Sequence, residues 1–279
     1  MKNILVGIDF SNSSMTAMRH AVALALKSEA TLHLVWVKTP GAEKNIEENA
    51  QYLGDIQAKL NNWVDLCRKE SPLTPINSII LEGKVHVAIT QYAKNLPESI
   101  IVMGAHGTSG FEEGYIGNNA YRLINSSDVP VLIMRENIQI NRDLHKIFVP
   151  IDTSFETLQK IKYAVQLAKM FAAQVLLYGV NYPNNPDVRH IINVQLRHAA
   201  DMCDEANVRY DIQTENINHN DVCNTILKSA QDFDANLIVI MREENETDFT
   251  ASRNMRQILS TCAMPLYIIP NVNAYTVSR

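Results

Sequence analysis

The stretch "KNILVGIDFS", Lys2–Ser11, returns later in the chain as "HKIFVPIDTS", His145–Ser154. Both are short apolar runs that end in Ile-Asp, then one residue and a Ser. A nearly continuous run of this length, ending on a polar turn, is the pattern of a strand buried on both faces of a sheet. Two further pairs follow in the same order: "ESIIVMGAHG" (98–107) with "ANLIVIMREE" (235–244), and "SSDVPVLIMR" (126–135) with "TCAMPLYIIP" (261–270). Their near-constant offset, about 135 to 143 residues, reads as one domain written twice. The polar stretch Arg135–Asp143 separates the copies, and the domains expected are 1–138 and 144–279.

Within one copy, strands alternate with helices. "ILVGIDF" is followed by Ser11, Ser13 and Ser14, candidate N-caps, and then by Met15, Met18, Val22, Ala25 and Leu26 at helical spacing. "TLHLVWV" is a second strand. A long helix follows, with Ile46, Ala50, Leu53, Leu60, Trp63 and Cys67 on one stripe. Then come the strand "INSIILEG", a helix ended by Pro97, the strand "SIIVM", a helix "NAYRLINSS" and the strand "PVLIM". This alternation predicts an α/β fold: two tandem, five-stranded, parallel-sheet, Rossmann-like domains with helices on both faces.

Composition bounds the function. The 279 residues are 46% apolar and 20% charged, enough to bury a core. A net charge of −5 with scattered basic residues argues against a nucleic-acid partner. No run approaches the roughly 18 apolar residues that span a bilayer. The N-terminus lacks a signal-peptide shape, so a cytoplasmic protein with no membrane partner is expected. The four cysteines lie far apart and form no CxxC pair, which reads as buried free thiols. The histidines show no metal spacing, and no metal or catalytic residues are assigned. No G-x-S-x-G elbow surrounds the serines.

The candidate site is "MGAHGTSGFEEGYIGNN", Met103–Asn119, which holds five of the chain's ten glycines. In open α/β sheets ligands sit beyond the strand ends where strand order reverses. Were strands one and four neighbours there, Asp9 would face this loop. Gly104 and Gly107 would admit a ligand close to the backbone. Gly117 and Asn118 stand where the next helix begins, and its free N–H groups and dipole attract phosphate. Asn119 can donate to the same oxygens, and His106 stands beside them. Asp9 can accept from a ribose or meet a metal ion bound to phosphate. The loop is neither a Walker A motif nor a dinucleotide fingerprint, because it follows strand four and lacks Gly-Lys-Ser/Thr.

The spacing G-x2-G-x9-G (Gly104, Gly107, Gly117), after the fourth strand of a unit whose first strand ends in Asp9, resembles the universal stress protein family. The resemblance covers both halves and implies a tandem member with adenine nucleotide α-hydrolase-like domains. It further implies ATP or AMP as ligand, with Mg carried on the phosphate. The backbone at Val37 would meet the adenine, Asp9 would lie near the ribose, and Gly104, Gly107, Gly117 and Asn118 would cradle phosphates. Members commonly pair through strand five, so "PVLIM" against "PLYII" would make one chain a pseudo-dimer, with a homodimer of tandem chains also open. Asn118 replaces the usual Ser or Thr, and no Lys or Arg lies in the loop, which points to weaker triphosphate binding. In the second copy Met241 stands for Gly104, Glu244 for Gly107 and Ser252 for Gly117, while Glu243, Glu246 and Asp248 add like charge; no similar site is expected there. A nucleotide-binding stress or regulatory protein is the function expected. Slow ATP hydrolysis, or a scaffold binding a non-nucleotide ligand, are the alternatives.

Overall fold

The computed structural model describes residues 1–40, 46–106, 116–134, 144–154, 156–181, 185–216, 222–242 and 256–271. Gly107, the acidic loop after Arg242 and the stretch 135–143 lie outside them. The chain divides into two compact units, Met1–Asn137 and Ile138–Arg279.

The first unit runs β1 (Asn3–Ile8), α1 (Asn12–Ser28), β2 (Thr31–Lys38), α2 (Ile46–Glu70), β3 (Ile76–Glu82), α3 (Val85–Lys94), β4 (Ser99–Gly104), α4 (Asn118–Ser126) and β5 (Val131–Met134). Its strands stand in the order β3-β2-β1-β4-β5, all parallel. Strand order therefore reverses between β1 and β4. Helix α1 packs on α2, and α3 packs on α4. The sheet is the core: Ile4, Leu5, Val6, Leu32, Leu34, Val35, Ile101 and Val102 are fully buried.

The second unit runs β6 (Lys146–Ile151), α5 (Thr157–Phe171), β7 (Gln174–Asn181), α6 (Pro186–Glu205), β8 (Tyr210–Asn216), α7 (Val222–Asp232), β9 (Leu237–Met241) and β10 (Leu266–Ile269), with residues 256–261 helical before β10. Its strand order is β8-β7-β6-β9-β10, again parallel. The repetition reaches backbone detail. Helix α1 ends on Glu29 in the left-handed region (φ 54°), whose N–H bonds the carbonyl of Ala25; α5 ends on Ala172 (φ 53°), whose N–H bonds that of Ala168. A left-handed residue closes a helix by satisfying a carbonyl that the last turn leaves open.

Two helix stripes differ from the pattern expected of them. Met18, Val22 and Ala25 are buried as expected and Ala17 and Ala21 join them, but Leu26 is half exposed and Met15 only partly buried. On α2, Ala50 is exposed, while Ile56 and Val64 join Leu60, Trp63 and Cys67 in the core. The sheet beneath each helix selects a face slightly rotated from the apolar stripe. Of the predicted caps, Ser11 is the one used: its Oγ accepts from the Ser14 N–H at 3.1 Å.

His33 is a satisfied core residue. Its Nδ1 lies 3.1 Å from the Tyr92 hydroxyl and its Nε2 3.1 Å from Asn3 Oδ1. Asn3 Oδ1 can only accept, so Nε2 carries the proton and Nδ1 accepts from Tyr92. Burial holds this histidine below its ordinary value. A depressed folded pKa means that the unfolded chain takes up the proton first, so His33 contributes stability above about pH 6.5 that is lost as the pH falls. Replacing it by Leu, the residue at the matching place in the second unit (Leu176), should flatten the acid limb of a Tm–pH curve between pH 7 and 5. An unchanged acid limb would show that His33 does not contribute to it.

All four cysteines are buried and free. Burial, helped by Glu70, pushes the Cys67 thiol up to about 12, and burial with Asp204 pushes Cys203 up to about 11. Thiolate is the reactive form. Native protein at pH 8 should therefore leave 5,5′-dithiobis(2-nitrobenzoate) nearly unreacted, with all four thiols titrating in guanidinium. Prompt reaction of Cys67 or Cys203 in the native state would contradict this packing.

Candidate functional site

The turn after β1 builds the first wall. Asp9 Oδ1 accepts from the Ser11 N–H at 3.0 Å and from the Ser11 hydroxyl at 2.5 Å. Ser14 Oγ accepts from the Asp9 N–H at 3.5 Å and donates to the Ser11 carbonyl at 3.0 Å. The turn thus fixes the Asp9 carboxylate through Oδ1, and no hydrogen bond to Oδ2 occurs among the described residues. Between them Phe10 takes a left-handed conformation (φ 64°), a region costing a non-glycine residue roughly 1–2 kcal/mol. Its ring offsets that cost by packing edge-on against Trp63 at 5.4 Å, with Lys59 Nζ 5.6 Å from its centroid.

The second wall is the end of β4. A Cβ on Gly104 would stand 2.4 Å from Ser13 Oγ and 2.9 Å from the Ser13 carbonyl carbon, so α1 starts directly against bare backbone. The His106 N–H then reaches Ser13 Oγ at 3.4 Å. The third wall is the start of α4. The Gly117 N–H bonds the Ala105 carbonyl at 2.7 Å, and Gly117 is the N-cap (φ −63°, ψ 149°) without a side-chain cap. The N–H groups of the first turn therefore receive no acceptor from the N-cap residue.

These walls enclose a cavity of about 420 Å³ at the β1/β4 switch point. Seven of the eight predicted residues line it: Asp9, Val37, Gly104, His106, Gly117, Asn118 and Asn119; the eighth, Gly107, is outside the described residues. Sequence reasoning missed the apolar lining of Val35, Ile89 and Met103, with Gly7 as bare floor. Val35 was within reach, since it precedes Val37 by two residues on the same sheet face. Among the described lining residues there is no Lys or Arg, and Asp9 is the one carboxylate. No cluster of three or more His, Cys, Asp or Glu suited to a metal occurs among the described residues.

The second unit repeats the turn and changes what faces it. Ser154 donates its N–H at 2.8 Å and its hydroxyl to Asp152 Oδ1, and the Asp152 N–H points at Thr157 Oγ1 at 3.5 Å. Lys160 takes the place of Ala17, is buried on α5, and sets its Nζ 3.5 Å from Asp152 Oδ2. Desolvation pushes the Asp152 carboxyl up, but Lys160 and the Ser154 bonds outweigh it and leave it below its ordinary value. Burial pulls the Lys160 ammonium down against the pull of Asp152. Here the second carboxylate oxygen has a cation beside it.

An open α/β unit with a cavity at its switch point is a ligand-binding class of fold. The comparisons narrow it. The family model described as "Universal stress protein family" matches residues 1–135. Universal stress protein Rv2624c of Mycobacterium tuberculosis is 24% identical over 180 residues, covering 64% of this chain and 65% of that protein, so the chain spans less than two thirds of that relative. Universal stress protein MJ0577 of Methanocaldococcus jannaschii is 27% identical over 153 residues, 48% of this chain and 94% of that protein. A crystal structure of a universal stress protein from Archaeoglobus fulgidus shares the fold over 97% of this chain and 98% of its own, with a TM-score of 0.79 at 15% identity. The first half of the chain thus matches the universal stress protein family, and a chain of two such α/β halves fits its tandem type. No helix among the described residues is long and apolar enough to cross a membrane.

The contact between Gly104 and Ser13 yields a direct test. Gly104→Ala should lower stability by about 1–3 kcal/mol, the usual cost of overpacking. Ser13→Gly in that background should recover only part, because backbone remains 2.9 Å from the new methyl. Chemical denaturation of the two variants checks it; full recovery would place the clash on the Ser13 side chain alone.

Proposed function

We propose that the first unit binds one adenine nucleotide in the switch-point cavity and that the chain works as a nucleotide-responsive regulatory protein. The observation that carries this reading is the division of the cavity wall. Val35, Val37, Ile89 and Met103 offer an apolar slot for a base, while Asp9 and the uncapped first turn of α4 offer groups for ribose and phosphate. About 420 Å³ falls within the roughly 300–1,000 Å³ range of small-molecule sites. Phosphate would be held by backbone N–H groups and by the amides of Asn118 and Asn119. Magnesium enters only as an ion carried on the phosphate and met by Asp9 Oδ2, since one carboxylate makes no magnesium cage. With no Lys or Arg among the described lining residues to stabilise charge in a transition state, the reading is of binding without appreciable turnover.

Calorimetric titration of ATP, ADP and AMP tests it. One equivalent per chain is expected, with AMP held comparably to ATP. Asp9→Asn keeps an acceptor for Ser11 and removes the negative charge, so it should weaken binding on the order of tenfold, as expected for a hydrogen bond to a charged group. Two equivalents would assign a site to the second unit as well. No heat at millimolar nucleotide would remove the reading, and steady phosphate release abolished in Asp9→Asn would make the protein an ATPase.

A further inference from the structure

The register of the first sheet shows where the cavity ends. Gly7 on β1 pairs with Val35 on β2. On its other side β1 pairs with β4, Val6 with Val102, so the next rung sets Gly7 beside Met103. Val35, Gly7 and Met103 thus form one rung across three strands, and all three line the cavity. The other described lining residues of these strands stand on later rungs, so this rung is the floor. Side chains on one rung of neighbouring strands face the same side of a sheet. On that side Ile89 of α3 covers Gly7 and also lines the cavity.

Gly7 is there for space and not for backbone freedom. Its φ is not in the left-handed region, the conformation that calls for a glycine. A Cβ built on it would stand 3.3 Å from Ile89 Cδ1, and 3.8 and 4.0 Å from Met103 Cγ and Sδ. These are side-chain atoms, whereas the atoms nearest a Cβ on Gly104 include the Ser13 backbone. An added methyl at Gly7 is therefore admitted by a shift of Ile89 and Met103. A packed interior leaves them little room elsewhere, and the open direction is the cavity that both already line. The shift takes depth from the slot and leaves the fold largely as it was.

We propose that Gly7 is the specificity-determining residue of the base slot: because it carries no Cβ, Ile89 and Met103 lie low enough for the two fused rings of a purine. A single methyl at this position raises the floor, selects against a purine and spares the one ring of a pyrimidine. The inference rests on the nucleotide reading in one respect, that the base is the part of the ligand that enters the apolar slot.

The bare rings purine and pyrimidine, without sugar or phosphate, are titrated into the full chain labelled with ¹³C at its methionine methyls. The Met103 signal, assigned by its absence from Met103→Leu, reports the floor. Purine should shift it in the unaltered chain. Gly7→Ala should weaken purine by roughly tenfold and pyrimidine by less than about threefold. Ile89→Val removes the atom that the new methyl meets, and in the Gly7→Ala background it should return purine to within about threefold of the unaltered chain. Purine held as well by folded Gly7→Ala overturns the proposal, as does an equal loss of both rings, a loss that Ile89→Val does not recover, or a Met103 signal that neither ring moves. Should Gly7→Ala fail to fold by circular dichroism, Val35→Ile, which adds one carbon to the same rung, takes its place and must show the same selective loss. Failure of the nucleotide reading looks different: AMP then gives no heat with the unaltered chain, while the order of the bare rings among the variants persists.

Discussion

The first unit is organised around the approach of Ser13 to Gly104. A side chain on Gly104 would be crowded, because Ser13 Oγ and the Ser13 backbone carbon stand 2.4 and 2.9 Å from where its Cβ would be. That approach brings the β1–α1 turn and the end of β4 together at the one place where strand order reverses. Asp9, fixed in the turn by Ser11, and the first turn of α4, tied back through Gly117 to Ala105, then have to face each other across a narrow gap. The second unit has Met241 at the matching strand end and Glu156 where Ser13 stands. Neither is bare, and α5 begins two residues later than α1 does in the matching frame, at Thr157 with an uncapped Glu156 before it.

The same economy of volume governs the opposite face of each sheet. Interiors are packed to crystal-like density, so an open slot at one position has to be matched by bulk nearby or by a ligand. The first unit places bulk at Tyr92, where the hydroxyl engages His33 and Asn3 supports the imidazole. The second unit has Leu176 at the histidine's place and Ser229 at the tyrosine's, and Tyr178 fills the volume. Two polar networks, Tyr92–His33–Asn3 and Tyr178–Glu215–Ser229, are alternative solutions to one packing problem.

Much of this architecture was legible in the chain. Short apolar runs separated by capped helical stretches dictate parallel strands with helix crossovers, and the triple repeat exposes the duplication. Asp9, Gly104 and Gly117 could be placed because each sits at the end of an element. The helix stripes were less legible: Leu26 and Ala50 fit the apolar period, yet the sheet buries Ile56 and Val64 instead. Lys160 reads as a solvated charge in "TLQKIKYA", and only the tertiary placement of Asp152 explains its burial. Tyr178 in "QVLLYGV" reads as one more core residue; strand order is needed before its face can be known. Ile89 and Met103 were invisible as lining for the same reason.

The persistence of Asp152 shows why a strand-end Asp is weak evidence of a site. The turn Asp-x-Ser with a hydroxyl five residues on is built alike in both units, through Ser14 in one and Thr157 in the other. Its bonds close the turn in both units, and in the first Ser11 also caps the helix, tasks that remain when no ligand is met. What separates the halves is the surroundings of the second carboxylate oxygen. In the first unit Asp9 lines one cavity with Gly104 and the start of α4. In the second a buried ammonium stands 3.5 Å away. On the nucleotide reading, a carboxylate that already has an internal cation is less available to a ribose or to an ion on the phosphate, so the turn alone does not mark a site.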